Sequence, residues 1–142
     1  MERLILKQHA LAKALARLNN MIECYGQKKG DLTIEEEDFL AYQDSVVKRF
    51  EISFDLLWKY LKEYLFAIHG VEALSPKKVF REALLQGVLL EDEVTILVNM
   101  CNDRNLTAHT YDAEHSAEVA EMVIEYYYKI KPALFRIVEQ GK

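Results

Sequence analysis

Glycine and proline are scarce in this chain, five and two among 142 residues. So few breakers favour long helices joined by short connections. The glycines, at 26, 30, 70, 87 and 141, do not cluster. That excludes a glycine-rich loop whose amides close on a phosphate. Cysteine is sparse too. Cys24 and Cys101 form neither a CxxC pair nor a metal-spaced group, and both read as buried reduced thiols. No apolar run approaches the ~20 residues of a membrane span. The expectation is a cytoplasmic protein with no leader peptide. Positive charge is in deficit, with a formal net charge of -5. This argues against a broad cationic surface for duplex DNA but leaves room for a small basic pocket.

What is present is apolar and periodic. Hydrophobic residues make up 51% of the chain, as in globular proteins, and its length suits one domain spanning 1–142. Leu4, Leu11, Leu15, Leu18, Ile22 and Tyr25 fall on one helical stripe. They predict a first helix from about Glu2 to Tyr25, ended by Gly26. A second is expected from near Thr33 to His69, opening with acidic residues 35–38 at the positive end of the helix dipole. Phe39, Val46, Phe50, Phe54, Leu57, Leu61, Tyr64 and Ile68 keep its period. At about 35 residues it spans roughly 50 Å, and part of it is expected to face another chain.

Ser75 and Pro76 predict the N-cap and first position of a short third helix, with Val79, Phe80, Ala83 and Leu84 inward and Gly87 beyond its end. A fourth runs from Glu91 or Asp92 through Val94, Leu97, Val98 and Cys101 to near Asn105. A fifth begins near Asp112 and carries Val119, Val123, Tyr127, Ile130, Leu134 and Ile137 inward, with Pro132 kinking it or ending its regular part. No segment alternates with period two, so the expected class is all-α.

Metal chemistry finds little support. The run Glu91-Asp92-Glu93 reads as a helix start, not as paired carboxylates for Mg²⁺. His9, His69, His109 and His115 are scattered; no third ligand joins His109 and His115, and no metal or other cofactor is expected.

The stretch RNLTAHTYD, residues 104–112, concentrates polar groups near the end of the fourth helix. One reading is a helix C-terminus with a cationic last turn and a capped restart. The other is a site. Arg104 and His109 are separated by about 140° on a continuous helix and converge only if that helix ends between them. Thr107, Thr110 and Asp112 favour such an ending by competing for backbone hydrogen bonds. RNA cleavage without metal needs a base for the 2'-OH and a cation for the crowded phosphorane. Histidine suits the first role and arginine the second. Two chains placing their pairs in one cleft would be more effective than one. Tyr111 can be bonded structurally, or can accept a nucleotide from a partner enzyme.

Other features read as structural. Asp44–Lys48, Asp55–Lys59 and Lys59–Glu63 have i,i+4 spacing and suit a solvated, salt-bridged face. Trp58 reads as core or subunit interface ahead of a base-stacking platform. Lys77, Lys78 and Arg81 read as a solvated basic face. Tyr126, Tyr127 and Tyr128 point three ways around a helix, so at least one is exposed or at an interface.

Arg104-x4-His109-x-Tyr111 resembles the motif of the HEPN superfamily, and within it the group called nucleotidyltransferase substrate-binding proteins. Arg49-Phe50-Glu51 with Phe54, Asp55, Leu56, Trp58 and Lys59 is similar to that group's second-helix pattern. Ser75-Pro76 with Val79, Arg81, Glu82, Ala83 and Gly87 is similar to its third-helix pattern. The resemblance implies a five-helix up-and-down bundle that forms a homodimer and pairs with a minimal nucleotidyltransferase. It implies Arg104 and His109 as catalytic residues of a metal-independent endoribonuclease, and Tyr111 as the site of AMP transfer by an antitoxin partner. Glu51, Lys59, Asp103 and Asn105 are then expected to support a nucleotide or RNA, with Glu51 and Lys59 lining the cleft. The leading reading is a partner subunit that binds a nucleotide or RNA phosphate through this motif; the alternatives are the active endoribonuclease silenced by AMP transfer to Tyr111, and a helical interaction module without catalysis.

Overall fold

In the computed structural model the apolar periodicity resolves into helices, and residues 1–107 and 113–140 are described. They form α1 (Glu2–Lys29), α2 (Glu36–His69), α3 (Pro76–Leu85), α4 (Glu91–Thr107) and α5 (Ala113–Gln140), with no strand among the described residues. None of these helices is long and apolar enough to cross a membrane.

Two helix ends differ from expectation for local reasons. α1 passes Gly26 and closes at Gly30. An interior glycine costs only about 1 kcal/mol relative to alanine. The added turn places Lys28 over the Tyr42 ring and Lys29 over the Tyr25 ring, where lysines also suit the negative helix end. α2 starts at Glu36, after Thr33, because the Asp31 carboxylate accepts the Thr33 amide at 2.9 Å and its hydroxyl at 2.6 Å. That local turn holds 31–33 out of the helix. At its other end Gly70 takes φ 68°, and its amide bonds the Phe66 carbonyl. α5 continues through Pro132, which therefore does not end it. Pro132 lies on the exposed side, where the carbonyl it leaves without an amide can bond water.

Side-chain ties fix the directions. Gln43 donates to the Tyr25 hydroxyl near one end of the α1–α2 pair, and Arg3 meets Glu63 at 3.7 Å near the other. These helices are therefore antiparallel, and Glu63 is engaged across helices. α5 runs antiparallel to α1: Gln8 donates to the Val138 carbonyl, the Tyr127 hydroxyl to Asn19, and Lys29 pairs with Glu121. α3 lies across α2, with the Phe80 ring edge-on to Phe54 at 6.0 Å. Leu11, Leu18, Val46, Leu57, Leu65, Phe80, Leu97 and Ile130 are fully buried in the shared core.

α4 is clamped antiparallel to α5 at both ends. At its start, the Arg136 guanidinium donates to both Glu93 oxygens, one at 2.9 Å, and to the Val88 carbonyl at 3.3 Å. Glu93 also accepts the Leu90 amide at 2.8 Å, which satisfies a donor at the helix start. Burial opposes the Glu93 charge, but the Arg136 and Leu90 bonds outweigh it and hold the carboxyl below its ordinary value. A depressed folded value means that this stabilisation is present above pH 4.5 and is lost as pH falls through the folded value. Glu93→Gln should cost about 2 kcal/mol at neutral pH. Urea unfolding of both proteins should show the difference shrinking at successive pH values below 4.5; a pH-independent difference would contradict the assignment.

Candidate functional site

The last described turn of α4 carries Asp103, Arg104 and Asn105. Glu93, Leu97, Met100 and Cys101 are buried. Position 104 follows them at 11, 7, 4 and 3 residues, the spacings that share one helix face. The register of the buried face of α4 therefore reaches position 104 within one turn of Cys101. Position 105 follows Val94 and Cys101 at 11 and 4 residues and flanks the same face. The side chains of Arg104 and Asn105, and the whole of His109 and Tyr111, lie outside the described residues, as do Thr110 and the expected cap Asp112.

The depth of that turn follows from its neighbours. Met100 lines one apolar pocket with Phe50, Phe54 and Leu57 of α2 and Tyr127 and Ile130 of α5. Ser116 donates to Gln43 at 2.6 Å, so α5 runs parallel to α2. α4, antiparallel to both, carries position 104 one turn past Met100, towards Phe50 and Glu51. Glu51 is half-buried on the side of α2 that also holds Asp55 and Trp58, four and seven residues on. Lys59 is exposed and is not among the residues lining the neighbouring cleft.

That cleft, about 340 Å³, lies at the seam of three helices. Phe54, Asp55 and Trp58 of α2 form one wall, Ser75, Pro76 and Lys77 at the start of α3 another, and Cys101 of α4 the third. Trp58 is half-buried here and faces a gap. Lys77 is half-buried in the same wall, while Lys78 and Arg81 are exposed, as expected of a solvated face.

Two ties brace the site from behind. The Tyr126 hydroxyl donates to Asp103. Burial first, then the Asp103 bond and charge, push the phenol up to about 12. Asp103 follows Ile96 and Asn99 at 7 and 4 residues, on the α5 side of α4. Its carboxylate thus ties α4 to α5. Gln43, only 2% exposed, bonds Tyr25 of α1 and Ser116 near the start of α5, fastening three helices. A lone glutamine within an apolar stripe is its only sequence signal. Of the three tyrosines, Tyr127 is buried, Tyr126 half-buried and Tyr128 exposed.

If Asp103 acts as a tether, Asp103→Asn and Tyr126→Phe should each lower the thermal midpoint. In a double-mutant cycle the two losses should fail to add, with a coupling of about 1 kcal/mol. Additive losses would show that the bond does not hold the helices together.

Comparison with solved structures finds a crystal structure of a Thermus thermophilus protein at a TM-score of 0.70. It is 26% identical, and the match covers 93% of this chain and 98% of that one. No curated protein matches. Residues 6–139 match the family described as nucleotidyltransferase substrate binding protein like. That match reaches into all five helices and spans the 104–112 stretch, and this chain belongs to that family.

Proposed function

We propose that this chain is the HEPN-type partner subunit of a two-component minimal nucleotidyltransferase, and that it holds a nucleotide or RNA phosphate through Arg104 and His109. The observation that supports this reading is the register of position 104, which follows the buried Leu97, Met100 and Cys101 at 7, 4 and 3 residues. An arginine at such a position suits a carboxylate or phosphate partner. Glu51, half-buried and without a hydrogen bond or ion pair to another described residue, stands at the same level of α2. It can orient the guanidinium fork until a phosphate arrives. The family match supports the pairing with a transferase.

RNA cleavage is the further reach of the same reading. His109 would take the 2'-OH proton, the freed oxygen would attack the adjacent phosphorus, and Arg104 would stabilise the charge that builds there while the P–O5' bond breaks, leaving a 2',3'-cyclic phosphate and a 5'-oxygen that takes up a proton as a hydroxyl. One Arg–His pair per chain favours a homodimer with two pairs in one cleft. Transfer of AMP from ATP to the Tyr111 oxygen by the partner, with release of diphosphate, would add bulk and negative charge two residues from His109 and silence the site.

Expression of the chain alone should slow growth and degrade cellular RNA, and Arg104→Ala or His109→Ala should abolish both effects. Equal growth of wild type and His109→Ala, with intact RNA, would remove the nuclease reading. Incubation with the partner and ATP should raise the intact mass by one AMP in wild type but not in Tyr111→Phe. An unshifted mass with an active partner would remove the modification.

A further inference from the structure

We infer that the edge of the bundle where α1 meets α5 docks a helix of another protein, one that carries a carboxylate between two apolar anchors. Such docking is independent of the phosphate-binding reading. α5 turns Tyr128 and Phe135 to solvent, 53% and 57% exposed. Large apolar groups gathered on one exposed edge mark interaction sites. Seven residues separate these two, about two turns, or roughly 10.5 Å along the axis. Between them stands Lys131, half-buried. Its ammonium lies 5.9 Å from the centre of the Tyr128 ring and 5.7 Å from those of Tyr127 and Phe135. Asn19 of α1 accepts a long hydrogen bond from it at 3.4 Å. Ala12 and Ala16 precede Asn19 at 7 and 3 residues and share its face of α1. Gln8 reaches the Val138 carbonyl and Asn19 accepts from Tyr127, so both alanines lie between those ties, level with Phe135 and Lys131. α1 thus sets a low wall of small side chains against a tall aromatic one.

Charge selects the occupant. Three rings hold the Lys131 ammonium in place, yet it pairs with no carboxylate among the described residues. α1 supplies none alongside, since positions 3–22 contain no acidic residue. Glu23, just beyond, is taken up by the Asn19 amide. Complementarity therefore asks for a carboxylate from outside. A second copy docked through the same edge would bring lysine towards lysine. A nucleic acid would need a row of cations for successive phosphates, and the aromatic edge of α5 offers one. A helix with apolar residues at i and i+7 and Asp or Glu at i+3 or i+4 meets every requirement. Its anchors pack on Tyr128 and Phe135, two turns apart on both helices, and its carboxylate reaches Lys131 between them.

The full-length protein is panned against a phage-displayed library of helical peptides randomised on one face. Enriched peptides are expected to share the apolar–acidic–apolar spacing. As synthetic peptides they should bind Phe135→Ala about tenfold more weakly than wild type. Replacing the peptide's acid by its amide should weaken binding severalfold to wild type and leave binding to Lys131→Met unchanged, with circular dichroism of the variant preserved. Peptides with lysine in place of the acid should bind Lys131→Glu in preference to wild type. Phe66→Ala, which removes an exposed ring on α2, should have no effect. Failure to enrich any peptide, or enriched peptides indifferent to both Phe135→Ala and Lys131→Met, overturns the proposal. A dimer in sedimentation that Phe135→Ala dissolves gives the edge to a second copy and overturns it equally. So does a single-stranded oligoribonucleotide that binds wild type and is lost from both variants, which assigns the edge to RNA.

Discussion

α2 buries Val46, Phe50, Phe54, Leu57, Leu61 and Leu65 in succession, and these side chains occupy more than one arc of the helix. α1 and α5 dock along one side and α3 along another. An apolar surface this long fixes where every other helix must lie, because burial at roughly 25 cal/mol per Å² outweighs any single polar tie. The polar ties then choose direction and register. Gln43 joins α1, α2 and α5 at one end, and Arg136 joins α5 to the start of α4 at the other. Each is a buried or half-buried bond that a slipped register would leave unmet, at a cost of about 1–3 kcal/mol.

α4 inherits its position from those constraints. It is short, clamped by Glu93–Arg136 at its start and Asp103–Tyr126 at its end. Between them Leu97, Met100 and Cys101 fill the core. The Asp103 tie holds the rotation of α4 near its end, with Leu97, Met100 and Cys101 inward, without itself facing the cleft.

Helix number, order and the length of α2 are legible in the sequence, because a 3.6-residue apolar period repeated over many turns leaves little choice. Helix ends are less legible. Gly26 reads as a stop, yet packing and two cation–ring contacts carry α1 past it. Thr33 reads as a start, yet one Asp31 carboxylate holds it out. The site is legible as a motif and not as a place. Trp58 follows Phe54 by four residues and so reads as core. Whether it meets core or a gap depends on where α3 begins, which no local pattern encodes. Lys77 groups with Lys78 and Arg81 in the sequence for the same reason. Gln43 carries no motif at all, since its partners come from helices 18 residues before and 73 after it.

The charge of the chain bears on how the seam would work. At a formal -5 the protein repels a polyanion at long range, so phosphate is not drawn in by the general field. Under the proposed reading, attraction would have to arise at contact, from cations held in a partly enclosed space. Among the described residues Lys77, half-buried in the cleft wall at the start of α3, is placed to contribute to it. Its position depends on where α3 begins, and that is fixed by the packing of Phe80 against Phe54 on the helix that the whole bundle is built around.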